Sequence, residues 1–162
     1  GQIQNGLYVS PHGWEDVVTS EAERLGVADA VTTAVTDALE IGGERDPRTL
    51  AARLWPLDDL ARRYQAFIDQ YKEVPEALTD MRNRHERLTE AEFLAGALTT
   101  VIDFEACFSR DPLLPPELLP RPWPGREARE LVNRGRRLGV LARERHERPA
   151  LFSVFEEVID RL

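Results

Sequence analysis

The chain has 162 residues, of which 42% are hydrophobic and 31% charged, which is the balance of an ordinary soluble globular protein with room for one domain or two small ones. A fold of this size buries about two-thirds of its unfolded surface, so it needs no disulfide or metal staple. The net charge of −8 repels phosphate backbones and argues against the chain itself being the main nucleic-acid contact.

No apolar run approaches the roughly 20 residues a membrane span needs, and no signal peptide is visible, so no membrane partner and a cytoplasmic location are expected. Charge is unevenly spread. Glu15 to Glu40 is acidic with Arg24 its only basic residue, whereas Arg121 to Arg148 carries nine Arg against four Glu. The chain opens on Gly1 inside what reads as a strand, and further sequence upstream is expected.

Leu7 to Ser10 is a short β-prone run after the turn-like Asn5-Gly6 pair. Helical periodicity follows through Trp14, Val17, Val18, Glu21 and Leu25, with Gly26 as its stop. Ala30 to Ile41, with Val31, Thr32, Thr33, Val35 and Thr36, is the longest β-branched stretch and predicts a second strand closed by Gly42-Gly43. Asp46 then caps a helix with Pro47 at its first position and Leu50, Leu54 and Trp55 on one face.

A helix over about 57–74 places Leu60, Tyr64, Phe67, Ile68 and Tyr71 at i, i+4, i+7, i+8 and i+11. Ala77 to Leu88 reads as a frayed helix or loop. Thr89 with Glu92 is a capping-box signature for a helix carrying Phe93, Leu94, Ala97, Leu98, Val101, Ile102 and Phe108. Six prolines between Arg110 and Gly125 preclude a helix there, yet Leu113, Leu114, Leu118, Leu119 and Trp123 are too apolar for a linker. A rigid extended strap packed over a helical core is expected. Pro124 opens a helix to about His146, and Pro149 a last one with Leu151, Phe152, Phe155, Val158, Ile159 and Leu162.

Catalytic signatures are missing. His12, His85 and His146 are isolated, without metal-ligand spacing. Asp103 and Glu105 lie two apart on a helix and do not face each other, so one is expected to pair with an Arg of the basic helix. There is no nucleophile elbow, Walker loop or dinucleotide fingerprint. Cys107, in an apolar stretch without a neighbouring base, reads as a packing residue. No enzyme, cofactor or metal is expected.

Two groups of residues are binding candidates. Arg121, Arg126, Arg129, Arg134, Arg136 and Arg137 form the richest anion-binding cluster, with Arg126 in the first turn of a helix; the alternative is a solvated face pairing with the chain's own acids. Trp55, Tyr64 and Trp123 can wall an aromatic pocket or be core packing. Trp55, Tyr64, Trp123, Arg126 and Arg129 are the effector-binding candidates taken forward.

Asp111-Pro112-Leu113-Leu114-Pro115-Pro116-Glu117-Leu118-Leu119-Pro120, followed by Trp123-Pro124-Gly125-Arg126-Glu127-Ala128-Arg129-Glu130-Leu131, closely resembles the C-terminal signature of the phenylacetate-catabolism repressors, the PaaX family. Three upstream segments match in order: Asn5 to Pro11, Gly42 to Trp55, and Leu60 to Phe67. The resemblance implies an α+β, mostly α fold: the strand-helix-strand half of a ferredoxin-like central domain (1–55), then a helical C-terminal bundle (56–162). It also implies a homodimeric repressor whose DNA is read by an upstream winged helix absent from this chain, and which an aryl-acyl-CoA such as phenylacetyl-CoA releases.

A ligand-independent dimerisation module is the alternative. The family's His-Glu-aromatic-Arg run falls here on Ile102-Asp103-Phe104-Glu105, a departure implying a different effector or none. A metal-dependent nuclease of ferredoxin-like fold would need an Asp on a first strand that this chain does not contain.

Overall fold

The computed structural model describes residues 1–142. The end of the helix expected to reach His146, and the helix expected from Pro149, lie outside the described residues. The fold is α+β and mostly helical, as its sequence predicts. It divides into two compact units: Gly1–Asp59 with Asp111–Pro122, and Leu60–Arg110 with Trp123–Leu162.

The first unit opens with a hairpin of β1 (Gln2–Gln4) and β2 (Leu7–Tyr8), antiparallel, with Gln2 opposite Tyr8 and Gln4 opposite Leu7. Gly6 makes the turn at φ 77°, a conformation that favours glycine. Helix α1 (Glu15–Leu25) ends on Gly26, left-handed, whose N–H returns to the carbonyls of Ala22 and Glu23. This is the expected stop.

The second strand expected at Ala30 to Ile41 does not form. Among the described residues, this stretch contains a 3-10 turn (Ala28–Ala30) and extended, exposed backbone, with Val35 79% exposed. Its only ladder contact is an isolated bridge between Ile41 and Glu44 across the Gly42-Gly43 turn. β-branched residues favour a strand only where another strand supplies ladder bonds and a packing face, and β1 and β2 pair with each other.

Helix α2 (Pro47–Leu54) starts as its sequence predicts. The Asp46 carboxylate accepts the Thr49 N–H at 2.8 Å, and Pro47 occupies the first turn, where no N–H is needed. The Asp111–Pro122 part of the proline-rich strap belongs to this unit, a correction to its expected place over the helical core, while Trp123 at its end packs on that core as expected. The Arg48 guanidinium donates to the Glu117 carbonyl at 2.7 Å, and His12 Nε2 lies 3.3 Å from the Pro112 carbonyl oxygen. A 3-10 turn at Pro116–Leu118 lies against α2. Leu114 and Leu119 are buried, as are Leu50, Ala51 and Leu57. The strap thus supplies two of this unit's buried leucines.

Among the described residues, the second unit has four helices: α3 (Leu57–Tyr71, entering the unit at Leu60), α4 (Val74–Asn83), α5 (Glu90–Phe108) and α6 (Pro124–Ala142). The periodic residues of α3 are all buried: Leu60, Tyr64, Phe67, Ile68 and Tyr71, with Tyr64 at 0% exposure. They form the core with Cys107, Ala128 and Val132, and Phe104, Trp123 and Leu131 pack around them. Helix α4 begins earlier than its polar sequence suggests, because Pro75 sits in its first turn, where proline's fixed φ favours helix. Both bonds of the Thr89–Glu92 capping box are present at the start of α5.

Gly125 and Gly139 let α6 sit close to its neighbours. A Cβ on Gly125 would lie 2.6 Å from Trp123 Nε1 and 3.0 Å from Tyr64 Cε2, and one on Gly139 would lie 3.1 Å from Phe93 Cε2. Alanine in a helix ordinarily gains up to about 1 kcal/mol over glycine, but at Gly125 it must displace the buried Tyr64 ring and the half-buried Trp123 ring. Gly125→Ala is expected to destabilise by about 1–3 kcal/mol, seen as a lower urea midpoint. An unchanged or raised midpoint would show that α6 does not need this close approach.

Candidate functional site

Tyr64 and Trp123 come together. Their rings meet edge-to-face with centroids 5.9 Å apart, and Phe104 lies 6.4 Å from Tyr64 on the α5 side. Phe67 continues the cluster to Phe104 and Tyr71 at 5.7 and 4.7 Å, a spacing that stabilises aromatic pairs beyond simple burial. The Trp123 indole N–H is buried without a hydrogen-bond partner. Leaving such a donor unmet costs about 1–3 kcal/mol, which the surrounding ring packing must offset.

Trp55 lies in the first unit, half-buried at the end of α2. Arg126 and Arg129 lie one turn apart near the start of α6, and both have partners. Arg126 pairs with Glu130 at 2.9 Å, and Arg129 donates to the Gly125 carbonyl at 3.2 Å. Of the other arginines named from sequence, Arg121 lies in the strap and Arg134, Arg136 and Arg137 on the exposed side of α6. An open groove of about 440 Å³ runs between α4 and α6, lined by Thr79, Glu130, Asn133, Arg134, Arg137 and Leu138.

Among the described residues, the bonds of Asp103 run to Tyr71 and Gln70 rather than to an arginine. Its Oδ2 accepts the Tyr71 hydroxyl at 2.5 Å and the Gln70 amide at 3.2 Å, tying α5 to the end of α3. Sequence alone could not supply this contact, because it links positions 32 apart with no local spacing signal. Burial, then the bond to Asp103 and its charge, push the Tyr71 phenol up to about 12. Burial also raises the Cys107 thiol, and Cys107 is a buried core residue, as its sequence context predicts. Among the described residues, no group of His, Cys, Asp and Glu can hold a metal ion, and no helix is long and apolar enough to cross a membrane.

Residues 55–146 match the family model of the PaaX-like protein C-terminal domain, which covers more than half of the chain and includes the Tyr64 ridge, the strap and all of α6. The chain belongs to the PaaX family. No curated protein and no solved structure matches it significantly. PaaX family members are transcriptional regulators, so this chain is a PaaX-like regulator region.

The Tyr71–Asp103 bond gives this PaaX-like region a defined alkaline response. Below pH 10, its contribution to stability is complete. Between 10 and about 12, the unfolded chain releases the phenolic proton that folded Tyr71 retains, so stability falls as pH rises through that window. Unfolding in urea at pH 9 and pH 11 is expected to show this loss in the native sequence and a smaller one in Tyr71→Phe. Equal losses in both would refute the assignment.

Proposed function

We propose that this chain is the effector-sensing and dimerisation region of a PaaX-like bacterial repressor that responds to an aryl-acyl-CoA such as phenylacetyl-CoA. The family match over 55–146 carries this reading. The chain would comprise a partial ferredoxin-like domain (1–55) and a helical C-terminal domain (56–162). It would act as a homodimer in the cytoplasm, without chemistry or cofactor of its own. DNA would be read by a winged helix upstream, outside this sequence. The net charge of −8 supports leaving that task to another domain.

In this reading, the aryl group is met by Tyr64 and Trp123 in the helical unit or by Trp55 in the first, and the phosphates by arginines of α6, first among them Arg126 and Arg129. Ligand entry at Tyr64 requires the ring pair to part, because Tyr64 is fully covered. That same observation favours the second reading, a ligand-independent structural dimerisation module. A packed aromatic cluster is a stable core with or without an effector.

The two readings separate on the full-length repressor bound to its operator. Release by micromolar phenylacetyl-CoA, or by another aryl-acyl-CoA, together with a raised melting temperature of this chain, is the expected result. Retention on the operator with every CoA ester, and no thermal shift, would leave only the structural module.

A further inference from the structure

Helix α5 is apolar nearly all round. Phe104 and Cys107 belong to the core of the helical unit. Ala91, Ala95, Leu98 and Ile102 follow one another at i, i+4, i+7 and i+11 along the exposed side. Leu98 and Ile102 are more than half exposed, and no charged residue falls between Glu92 and Asp103. The same spacing in α3, at Leu60, Tyr64, Phe67 and Tyr71, makes the core. A helix that is apolar on every side is one that is covered on every side, so the outer stripe of α5 calls for a partner.

The rest of the chain carries a matching stripe. Leu151, Phe155, Val158 and Leu162 repeat the spacing, with Ser153, Glu156, Glu157 and Asp160 on the opposite side. As helices, both stripes are about 17 Å long. The chain also begins its return in the right place. Helix α6 runs antiparallel to α5, with Gly139 close to Phe93, and it ends beside the start of α5. There the Arg87 guanidinium donates to the Leu141 carbonyl at 3.0 Å, and the Leu88 N–H to the Ala142 carbonyl at 3.3 Å. Residues 143–148, Arg-Glu-Arg-His-Glu-Arg, are a polar connection able to reach about 20 Å. Pro149 cannot continue α6, because its ring clashes with the preceding turn and disfavours helix at Arg148.

We propose that residues 149–162 form a helix that folds back along α5 and covers Ala91, Ala95, Leu98 and Ile102. Starting from the end of α6, it lies parallel to α5, which brings Phe155 over the small Ala95 and Leu162 towards Ile102. Large side chains set against small ones are how packed helices interdigitate. A second copy of the chain is a poorer cover. Four side chains, two of them alanine, fall well short of the roughly 800 Å² that each partner of a stable interface contributes. Once occupied, this side of α5 is closed to a second copy, so the dimer proposed above must meet through other surfaces.

The test is nuclear magnetic resonance on the full 162-residue chain, comparing the native sequence with Phe155→Asp and Phe155→Leu. Nuclear Overhauser contacts from the Leu98 and Ile102 methyls to the Phe152 and Phe155 rings are expected within one chain. Phe155→Asp is expected to shift the Leu98 and Ile102 resonances, to leave those of the buried Leu60 and Ile68 in place, and to speed amide exchange over 149–162 by about tenfold or more. Phe155→Leu is expected to keep the native pattern. If Phe155→Asp does not fold, the contacts in the native chain decide alone. Contacts found only between labelled and unlabelled chains would give this face to a second copy and overturn the proposal. So would the absence of contacts between α5 and 149–162, or α5 resonances that ignore Phe155→Asp.

Discussion

The helical unit depends on the contact between Tyr64 and the first turn of α6. Tyr64 is fully buried, and covering it requires another helix to approach within van der Waals distance of its ring. Trp123-Pro124-Gly125 meets that need in three successive residues. Trp123 lays its indole edge-to-face with Tyr64. Pro124 opens the helix where a backbone N–H would have no partner. Gly125 removes the side chain that would otherwise collide with both rings. The order matters, because a Cβ at the third position would push out the ring set by the first. Gly139, four turns along, repeats the device against Phe93, so α6 is held close at both ends of its described length.

The first unit is built on a narrower margin. Its buried apolar residues are few, and two of them, Leu114 and Leu119, come from the strap. Proline restricts the unfolded chain, so an extended segment rich in it loses less entropy on docking. The Arg48 bond to the Glu117 carbonyl and the His12 contact with Pro112 then fix its register without a strand ladder. By contrast, Trp14, Val17, Leu25 and Val35 are all more than half exposed. Hydrophobic periodicity in α1 and β-branching beyond it are present in the sequence, but their burial depends on partners that the unit's described residues do not supply.

What was legible in the sequence follows from how local each signal is. The Asp46 cap, the Thr89–Glu92 box, the Gly26 stop and the five-residue ridge of α3 each lie within a few turns of chain, and each has the predicted geometry. The strand expected at Ala30 to Ile41 failed because a strand is a property of two segments. The strap was read correctly as packed, and its Trp123 does meet the helical core, but Asp111–Pro122 was assigned to the wrong unit: its leucines say that it is buried, not against what. At the candidate site, the meeting of Tyr64 with Trp123 is long-range and was suggested only by shared aromatic character. The α4–α6 groove was invisible, since half of its definition comes from a helix that the sequence presents as frayed and polar.

The run from Ile102 to Glu105 shows how the same positions carry two kinds of information. Asp103 and Phe104 point into the unit: one accepts bonds from Tyr71 and Gln70, the other packs on Tyr64 and Phe67. The tie between α3 and α5 requires an acid and an aromatic at these two positions. Ile102 and Glu105 are exposed, Ile102 at 65%. Substitutions confined to that exposed side leave the tie between α3 and α5 intact and change only what the outer face of α5 can meet.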